Sequence, residues 1–519
     1  MLFFKKTLSA ILASLMLLSS ATVLAGCAKG DENTNTPSDT TAPIDEETGE
    51  VDHRFDGVNF GGREFRIYTS AHGGSLSSNK LIEGQPDLAA GDMVNDAVLR
   101  RNIIVEELLG VELVFTQCDL GYGAIAGDIR TFTQSGGDEF DLVINDNYDF
   151  STLLIEGNFR NVMDNDCVFD FDRNYWYADY MADLRLQDDY QYLLAGVYFI
   201  DVLRTAHILI LNKDIYKDYY HSSADAVYDM VNDYKWTYDK LISLTTNVYI
   251  DKNNDGSKNS GDQFGYVDYG FWGASIAYSA SGTTNFITRD EEGVPIITIH
   301  EGDRSNSLAE AMTNLFNDQA TLMDTDPLAV FAKSQTLVSG GLFLRHLEDP
   351  SLRGMESDAA VLPLPMLFES DKKYVTATHD TTELGAILIT STDMEYISTV
   401  IEVLNRETAN VVIPKYYKES IQVQCVDDEK ASAMIDIVTI TSTTPSFWPT
   451  TPLWATAFCK PSTSVRRTSV SSLPPSPQAR PVPPTSPWRT SSESSAETTT
   501  PNNRKAPERA VSQLVRPPF

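Results

Sequence analysis

The chain has 519 residues, 73 Asp and Glu against 40 Lys and Arg, a net charge of −33 and a mean hydropathy of −0.22. So polyanionic a protein repels nucleic acid and anionic lipid, which excludes both as partners. Its five cysteines show no CxxC pair and no regular spacing, which excludes a zinc knot or a disulfide scaffold.

Lys5 and Lys6 precede an apolar run from Leu8 to Leu18, and the stretch ends in Leu24-Ala25-Gly26-Cys27, the order of a bacterial lipobox. The run is shorter than the ~20 apolar residues a permanent span needs, so residues 1–26 read as a cleaved lipoprotein signal peptide. Cleavage leaves Cys27 as the lipidated N-terminus, and two or three acyl chains hold far more firmly than one. This places the protein on the outer face of the cytoplasmic membrane, attached through the lipid alone. Residues 27–55 are dominated by Asp, Glu, Asn, Thr and Pro; they cannot offset their ordering entropy and read as a disordered acidic linker.

The roughly 385 residues from 56 to 440 suffice for two lobes. Arg63–Ser70 is a predicted strand, Met93–Gly110 an amphipathic helix ended by Gly, and Val111–Gln117 a second strand. Residues 122–137 form a helix and Phe140–Asn147 a third strand. Alternation of this kind predicts a parallel sheet with right-handed crossovers, and in such sheets ligands sit outside the carboxyl ends of the strands. The segments leaving those ends are Ala71–Ser75, Cys118–Tyr122 and Asp146–Ser151. The second runs into Gly121–Gly127, "GYGAIAG", which has one residue too many for a dinucleotide fingerprint. Cys118, Cys167, Cys425 and Cys459 are expected as isolated thiols, with a Cys118–Cys167 bridge the alternative.

A Trp/Tyr-rich region leads to "AHILILNKDIYKDYY" (Ala206–Tyr220), an apolar strand running into a helix, and "KWTYDKLISLTTNV" follows. Next comes "DKNNDGSKNSGD". Counting from Asp251, the residues Asn253, Asp255, Ser257, Asn259 and Asp262 fall at positions 3, 5, 7, 9 and 12, with Gly256 at 6. That is the spacing of an EF-hand calcium loop, in which alternate oxygens face a hard dication and Gly permits the sharp turn. Asp at position 12 is shorter than the usual Glu, and "QFGYVDYG" after it reads as a strand, so the expectation is a structural Ca²⁺ clip without a second helix. The alternative is an Asn/Asp/Gly turn without metal. "DAAVLPLPM" (Asp358–Met366) is a strand ending in Pro-hydrophobic-Pro.

These motifs, in this order, resemble the extracellular solute-binding proteins of ABC transporters, family 1, the lipid-anchored kind common in Gram-positive bacteria. Leu211-Asn212-Lys213 matches the family's strand that crosses between lobes. Trp236-Thr237-Tyr238 matches its Trp-Thr-Trp/Tyr helix start, with Lys240 where an acidic residue is usual. The similarity covers about residues 60–435. It implies an α/β, two-lobed, periplasmic-binding-protein-like (type II) fold with a hinge. The first lobe would take 56–204 and the second 205–325, each with return segments. It further implies a monomer that captures a small solute, an oligosaccharide, and delivers it to ABC-transporter permease subunits without an organic cofactor.

A sugar between two lobes is gripped by aromatic faces and short polar side chains. By position the candidates are His72, Tyr122, Asp146, Tyr148 and Asp149 at the strand ends of the first lobe, with Trp176 and Tyr177 after them. Trp272, His379 and Asp380 complete the set, and Trp236 is assigned to core. No GxSxG or HExxH is present, and Ser77–Lys80 is a chance SxxK. The reading is therefore a non-enzyme, with a lipid-anchored glycoside hydrolase as the alternative, since paired carboxylates need no local motif.

Composition changes near Ile440. Residues 441–519 hold fifteen of the 24 prolines, nine Lys or Arg, three Glu, and no Gly, Asp, Tyr or Ile. They carry a charge of +6; removing that and Lys5 and Lys6 leaves −41 on the residues between. Two readings stand: a disordered Pro/Ser/Thr-rich stalk, or a shift of reading frame near residues 437–445. Either way no regular structure is expected from 441 onward.

Overall fold

The computed structural model describes residues 53–70, 79–87, 92–118, 124–185, 189–259, 261–270, 274–284, 287–290, 295–297, 302–417, 429–440 and 442–443. All belong to one compact unit, Met1–Lys460. The signal sequence, Cys27, His72, Tyr122, Trp272, Cys425 and Cys459 lie outside the described residues, as does the tail from 444.

The first sheet is begun by β1 (Arg63–Ser70), β2 (Val111–Cys118), β3 (Leu142–Asp146) and the short β4 (Leu193–Leu194). β1 runs parallel to β2, Arg63 opposite Val111 through Ser70 opposite Cys118, and parallel to β3 on its other side. The Met93–Leu109 helix joins the first pair. Asp92 caps it by accepting from the Val94 and Asn95 amides, and Gly110 ends it at φ 60°, ψ 49°, a left-handed turn that aims the chain into β2. β3 starts two residues later than its apolar pattern suggests. The Asp141 carboxylate accepts from Arg66 N, Nε and Nη2 at 2.8, 3.0 and 2.9 Å, so that residue serves as a side-chain anchor for β1.

The second sheet is begun by β5 (His207–Asn212) and β6 (Phe264–Asp268). A small antiparallel hairpin, β7 (Ile287–Arg289) with β8 (Pro295–Ile297), precedes β9 (Thr321–Met323), β10 (Thr336–Phe343) and β11 (Ala359–Leu362). The order is β11-β5-β10-β6-β9, with β5 antiparallel to both neighbours and β10, β6 and β9 mutually parallel. All six residues of β5 are buried, as an apolar strand covered on both faces must be. Trp236 is fully buried and donates its indole N–H to the Pro363 carbonyl at 2.9 Å, locking the Tyr238–Thr245 helix to the end of β11.

After β12 (Thr376–Ala377) the chain returns to the first sheet as β13 (Glu383–Ala386), giving the order β2-β1-β3-β13-β4 with β13 antiparallel to β3 and β4. The architecture is thus mixed α/β with two five-stranded sheets. β14 (Ser442–Thr443) pairs in parallel with β12, so regular structure is found past the composition break, where none was expected. The Met394–Glu407 helix packs on the Met93–Leu109 helix, bends through a π-helical turn at Thr408–Val412, and the Glu429–Ile440 helix lies against β11. No helix among the described residues is long and apolar enough to cross a membrane. Cys118 and Cys167 are both free, which settles the disulfide alternative against a bridge.

Candidate functional site

The register defines the site. In the first sheet the carboxyl end of β3, Asp146, stands opposite Glu383 at the start of β13. In the second, the carboxyl end of β10, Phe343, stands opposite His207 at the start of β5. Both starts are reached from segments that link the sheets, and these segments pair with each other. Ala206 and Thr378 form an antiparallel bridge, His379 N donates to the Thr205 carbonyl at 3.1 Å, and the Thr205 and Thr382 hydroxyls meet at 2.6 Å. The strand ends where ligands bind in open α/β sheets therefore converge on one double crossing.

Around it the sequence-predicted residues assemble in part. Asp146 accepts from Asp149 N at 2.8 Å and caps the Asn147–Ile155 helix. That helix docks by its first two amides, Asn147 N to the Thr382 carbonyl at 2.9 Å and Tyr148 N to the Asp380 carbonyl at 3.1 Å. Tyr148 keeps its ring exposed. Its phenol is pushed up by partial burial and by the charges of Asp380, Asp149 and Asp146. His379 Nδ1 lies 2.9 Å from Asp380 Oδ1 and 2.8 Å from the Thr381 hydroxyl. Burial alone would raise the Asp380 carboxyl, but the His379 hydrogen bond and the neighbouring imidazoles outweigh it and hold it below the usual carboxylate range.

Behind this rim lies a cluster that local patterns miss. His207 Nδ1 is 2.7 Å from the Ala377 carbonyl; a carbonyl only accepts, so the hydrogen sits on Nδ1. Burial, aided by His379, pushes this imidazole down to about 3, and its buried Nε2 has no protein partner. The Phe343 ring stands edge-on to His207 at 4.7 Å and to His379 at 4.9 Å, and stacks on His346 at 5.1 Å. The Arg345 guanidinium lies 5.2 Å over the same ring. The one sequence signal for this group was a histidine opening an otherwise apolar strand, "HILILN".

Trp176 and Tyr177 belong to a second group. The Trp176 indole is buried, donates to Glu402 Oε2 at 2.9 Å, and stands edge-on to Phe169 and Phe171 at 5.6 and 5.2 Å. With Tyr177, Tyr180, Val202, Leu203 and Ile413 it walls a cavity of about 580 Å³. The Tyr180 hydroxyl contacts Thr378 at 3.1 Å, so this cavity adjoins the returning segment.

In the Asp251–Asp262 loop, Asp251, Asp255 and Asp262 each accept a loop amide, and Asn253, Ser257 and Asn259 lie within the same turn. Among the described residues no three His, Cys, Asp or Glu side chains are grouped around a common metal position.

No protein-family model matches the chain, and no curated protein matches it. Solved structures do. A cyclo/maltodextrin-binding protein complexed with maltotetraose is similar at 11% identity and TM-score 0.49, covering 75% of this chain and 88% of that one. The galacto-N-biose/lacto-N-biose I-binding protein of the ABC transporter from Bifidobacterium longum, in complex with lacto-N-biose, is similar at 14% identity and TM-score 0.48, covering 75% and 89%. The maltose/maltodextrin-binding domain from Bdellovibrio bacteriovorus bound to maltotriose is similar at 11% identity and TM-score 0.46, covering 74% and 89%.

Proposed function

We propose that this protein is an extracellular solute receptor of an ABC transporter, held to the membrane through acylated Cys27, that closes two lobes on an oligosaccharide and passes it to permease subunits. The observation that carries the reading is the double crossing: two sheets point their ligand-binding strand ends at paired segments, 205–206 and 378–382, through which lobes can pivot. The order of sequence motifs supports the same class. The rim offers a sugar what it needs, an exposed Tyr148 ring and the acceptor oxygens of Asp149 and Asp380.

The test is calorimetry and thermal shift of the full chain with a panel of neutral oligosaccharides, monitored for released reducing ends. Binding with a raised melting temperature and no product supports a receptor. Released sugar makes it a hydrolase, and no response to any sugar overturns the carbohydrate assignment. Retention of the Cys27→Ser protein in the membrane fraction would refute the anchor.

A further inference from the structure

The loop from Asp251 to Asp262 leads into β6 and is clasped at its base by Ile250 and Gln263, which exchange amide–carbonyl bonds at 3.0 Å in both directions. Inside it, one oxygen of each acidic side chain serves the backbone. Asp251 Oδ2 accepts from Gly256 N at 2.9 Å and Asp255 Oδ1 from Ser257 N at 2.7 Å. Asp262 Oδ2 accepts from Asn259 N at 3.0 Å and from the Tyr249 hydroxyl at 3.1 Å. Gly256 has φ +70°, the left-handed conformation the turn requires.

The remaining oxygens at the two ends of the loop are unaccounted for. Asp262 is fully buried, yet its Oδ1 has no hydrogen-bond partner. Asp251 Oδ1 is likewise shut off from solvent and without one. Leaving a buried acceptor unsatisfied is unfavourable, and more so for a charged group. Two such oxygens, at the first and twelfth positions of an alternating Asp/Asn loop, call for a cation. We propose that this loop binds one Ca²⁺, with Asp251 Oδ1 and Asp262 Oδ1 as its anionic anchors. Side-chain oxygens of Asn253, Asp255 and Asn259 and the Ser257 carbonyl bring the set to the six oxygens calcium takes; the three carboxylates are not grouped around one point beforehand, so the ion draws the loop in as it binds.

At present Asp255 Oδ2 is occupied by two amides, Asn253 Nδ2 at 3.0 Å and Asn259 Nδ2 at 2.8 Å. Asn253 is exposed and Asn259 half-buried, and their oxygens accept from Asp255 N at 3.0 Å and Gly261 N at 2.8 Å, so the incoming ion must displace the two amide N–H groups from Asp255 and share those oxygens with the backbone. With one oxygen of Asp262 committed to Asn259 and Tyr249, closure at position 12 is monodentate. The affinity then falls in the range of extracellular modules, roughly 10⁻⁴–10⁻³ M. Since β6 ends at Asp268 on the edge facing the crossing, the ion would stiffen the strand that carries part of the second lobe's binding edge. The inference stands without the sugar reading.

The test is calorimetric titration of the chelator-treated full chain with CaCl₂, with MgCl₂ as the comparison, and Tb³⁺ luminescence excited through Tyr249. One Ca²⁺ site, a melting temperature that rises with calcium and returns with EGTA, and sensitised Tb³⁺ emission are expected. Asp262→Asn and the more conservative surface change Asp255→Asn should each weaken Ca²⁺ at least tenfold, while Lys252→Ala leaves it unchanged. Should Asp262→Asn fail to fold, Asp255→Asn decides. Absence of calcium heat and of Tb³⁺ emission from the wild-type chain overturns the site, as does equal binding by the Asp255→Asn protein.

Discussion

The Arg204 guanidinium grips the Glu348 carboxylate through two bonds, Nε to Oε1 at 2.8 Å and Nη2 to Oε2 at 3.0 Å, and so ties the helix before the first crossing to the turn after β10. Arg204 is fully buried and also holds Asp201 at 3.0 Å, while Tyr416 donates to Glu348 at 2.7 Å. Burial raises the Glu348 carboxyl, but Arg204, Tyr416 and Lys80 outweigh it and leave it below its ordinary value. A carboxylate held down in this way contributes stability above the unfolded value, ~4.3, and loses it as pH falls through the folded one. Urea unfolding at pH 7 should show Glu348→Gln less stable by about 3 kcal/mol. The wild type should approach the variant as the pH drops below about 4; an undiminished gap in acid would contradict this account.

Arg101 is fully buried in the Met93–Leu109 helix, and among the described residues no carboxylate pairs with it. Its donors go to the Leu81 and Ile82 carbonyls, to Asn102 Oδ1 and to the Thr408 hydroxyl, with the Tyr198 ring 4.8 Å beneath. Burial lowers it to about 10, so it remains charged at neutral pH. Arg101→Met preserves the stem but strands those acceptors, and we expect a loss of about 3 kcal/mol in denaturant with an unchanged m-value.

Local elements were legible because their causes are local. Strand β1 has the span its pattern gives, and the Met93–Leu109 helix ends where Gly110 supplies the left-handed cap. The Leu-Asn-Lys motif works through Asn212, whose side chain accepts from the Asp214 and Ile215 amides and starts the next helix. The crossing was not legible: Thr205 and Thr382 are 177 residues apart, and β13 joins the first sheet from beyond every strand of the second. Trp176 was equally opaque, since its destination is set by Glu402, 226 residues downstream. No local periodicity encodes a partner at that distance.

The Cys167 thiol is pushed up to about 12, first by burial and then by the Asp166 and Asp164 charges. At pH 8 its thiolate fraction should be on the order of a thousandfold below that of an unfolded chain. Iodoacetamide labelling followed by peptide mass mapping should find Cys167 slow in the native protein and fast in urea; rapid native labelling would show that the segment opens.

Two glycines should respond oppositely to alanine. A Cβ on Gly265 in β6 would fall 1.9 Å from the Thr245 carbonyl oxygen, so Gly265→Ala must push the Tyr238–Thr245 helix away and should cost about 1–3 kcal/mol. Gly127, inside the Ile125–Ser135 helix, has nothing within 4 Å of its Cβ position. Gly127→Ala should therefore stabilise by roughly 0.5–1 kcal/mol. Melting curves of the two variants check both signs.

If the crossing is the floor of the solute site, Tyr148 and His379 should separate binding from stability in different ways. The Tyr148 ring is exposed and its docking to Asp380 uses only the backbone amide, so Tyr148→Ala leaves that bond intact. Its melting temperature should stay near wild type while affinity for the cognate solute falls about tenfold, or 1.4 kcal/mol. His379 is nearly buried and its ring meets Phe343 edge-on at 4.9 Å, so His379→Ala should lose affinity and stability together. A Tyr148→Ala protein that binds as tightly as wild type would place the solute away from the end of β3, toward the cavity walled by Trp176 and Tyr177.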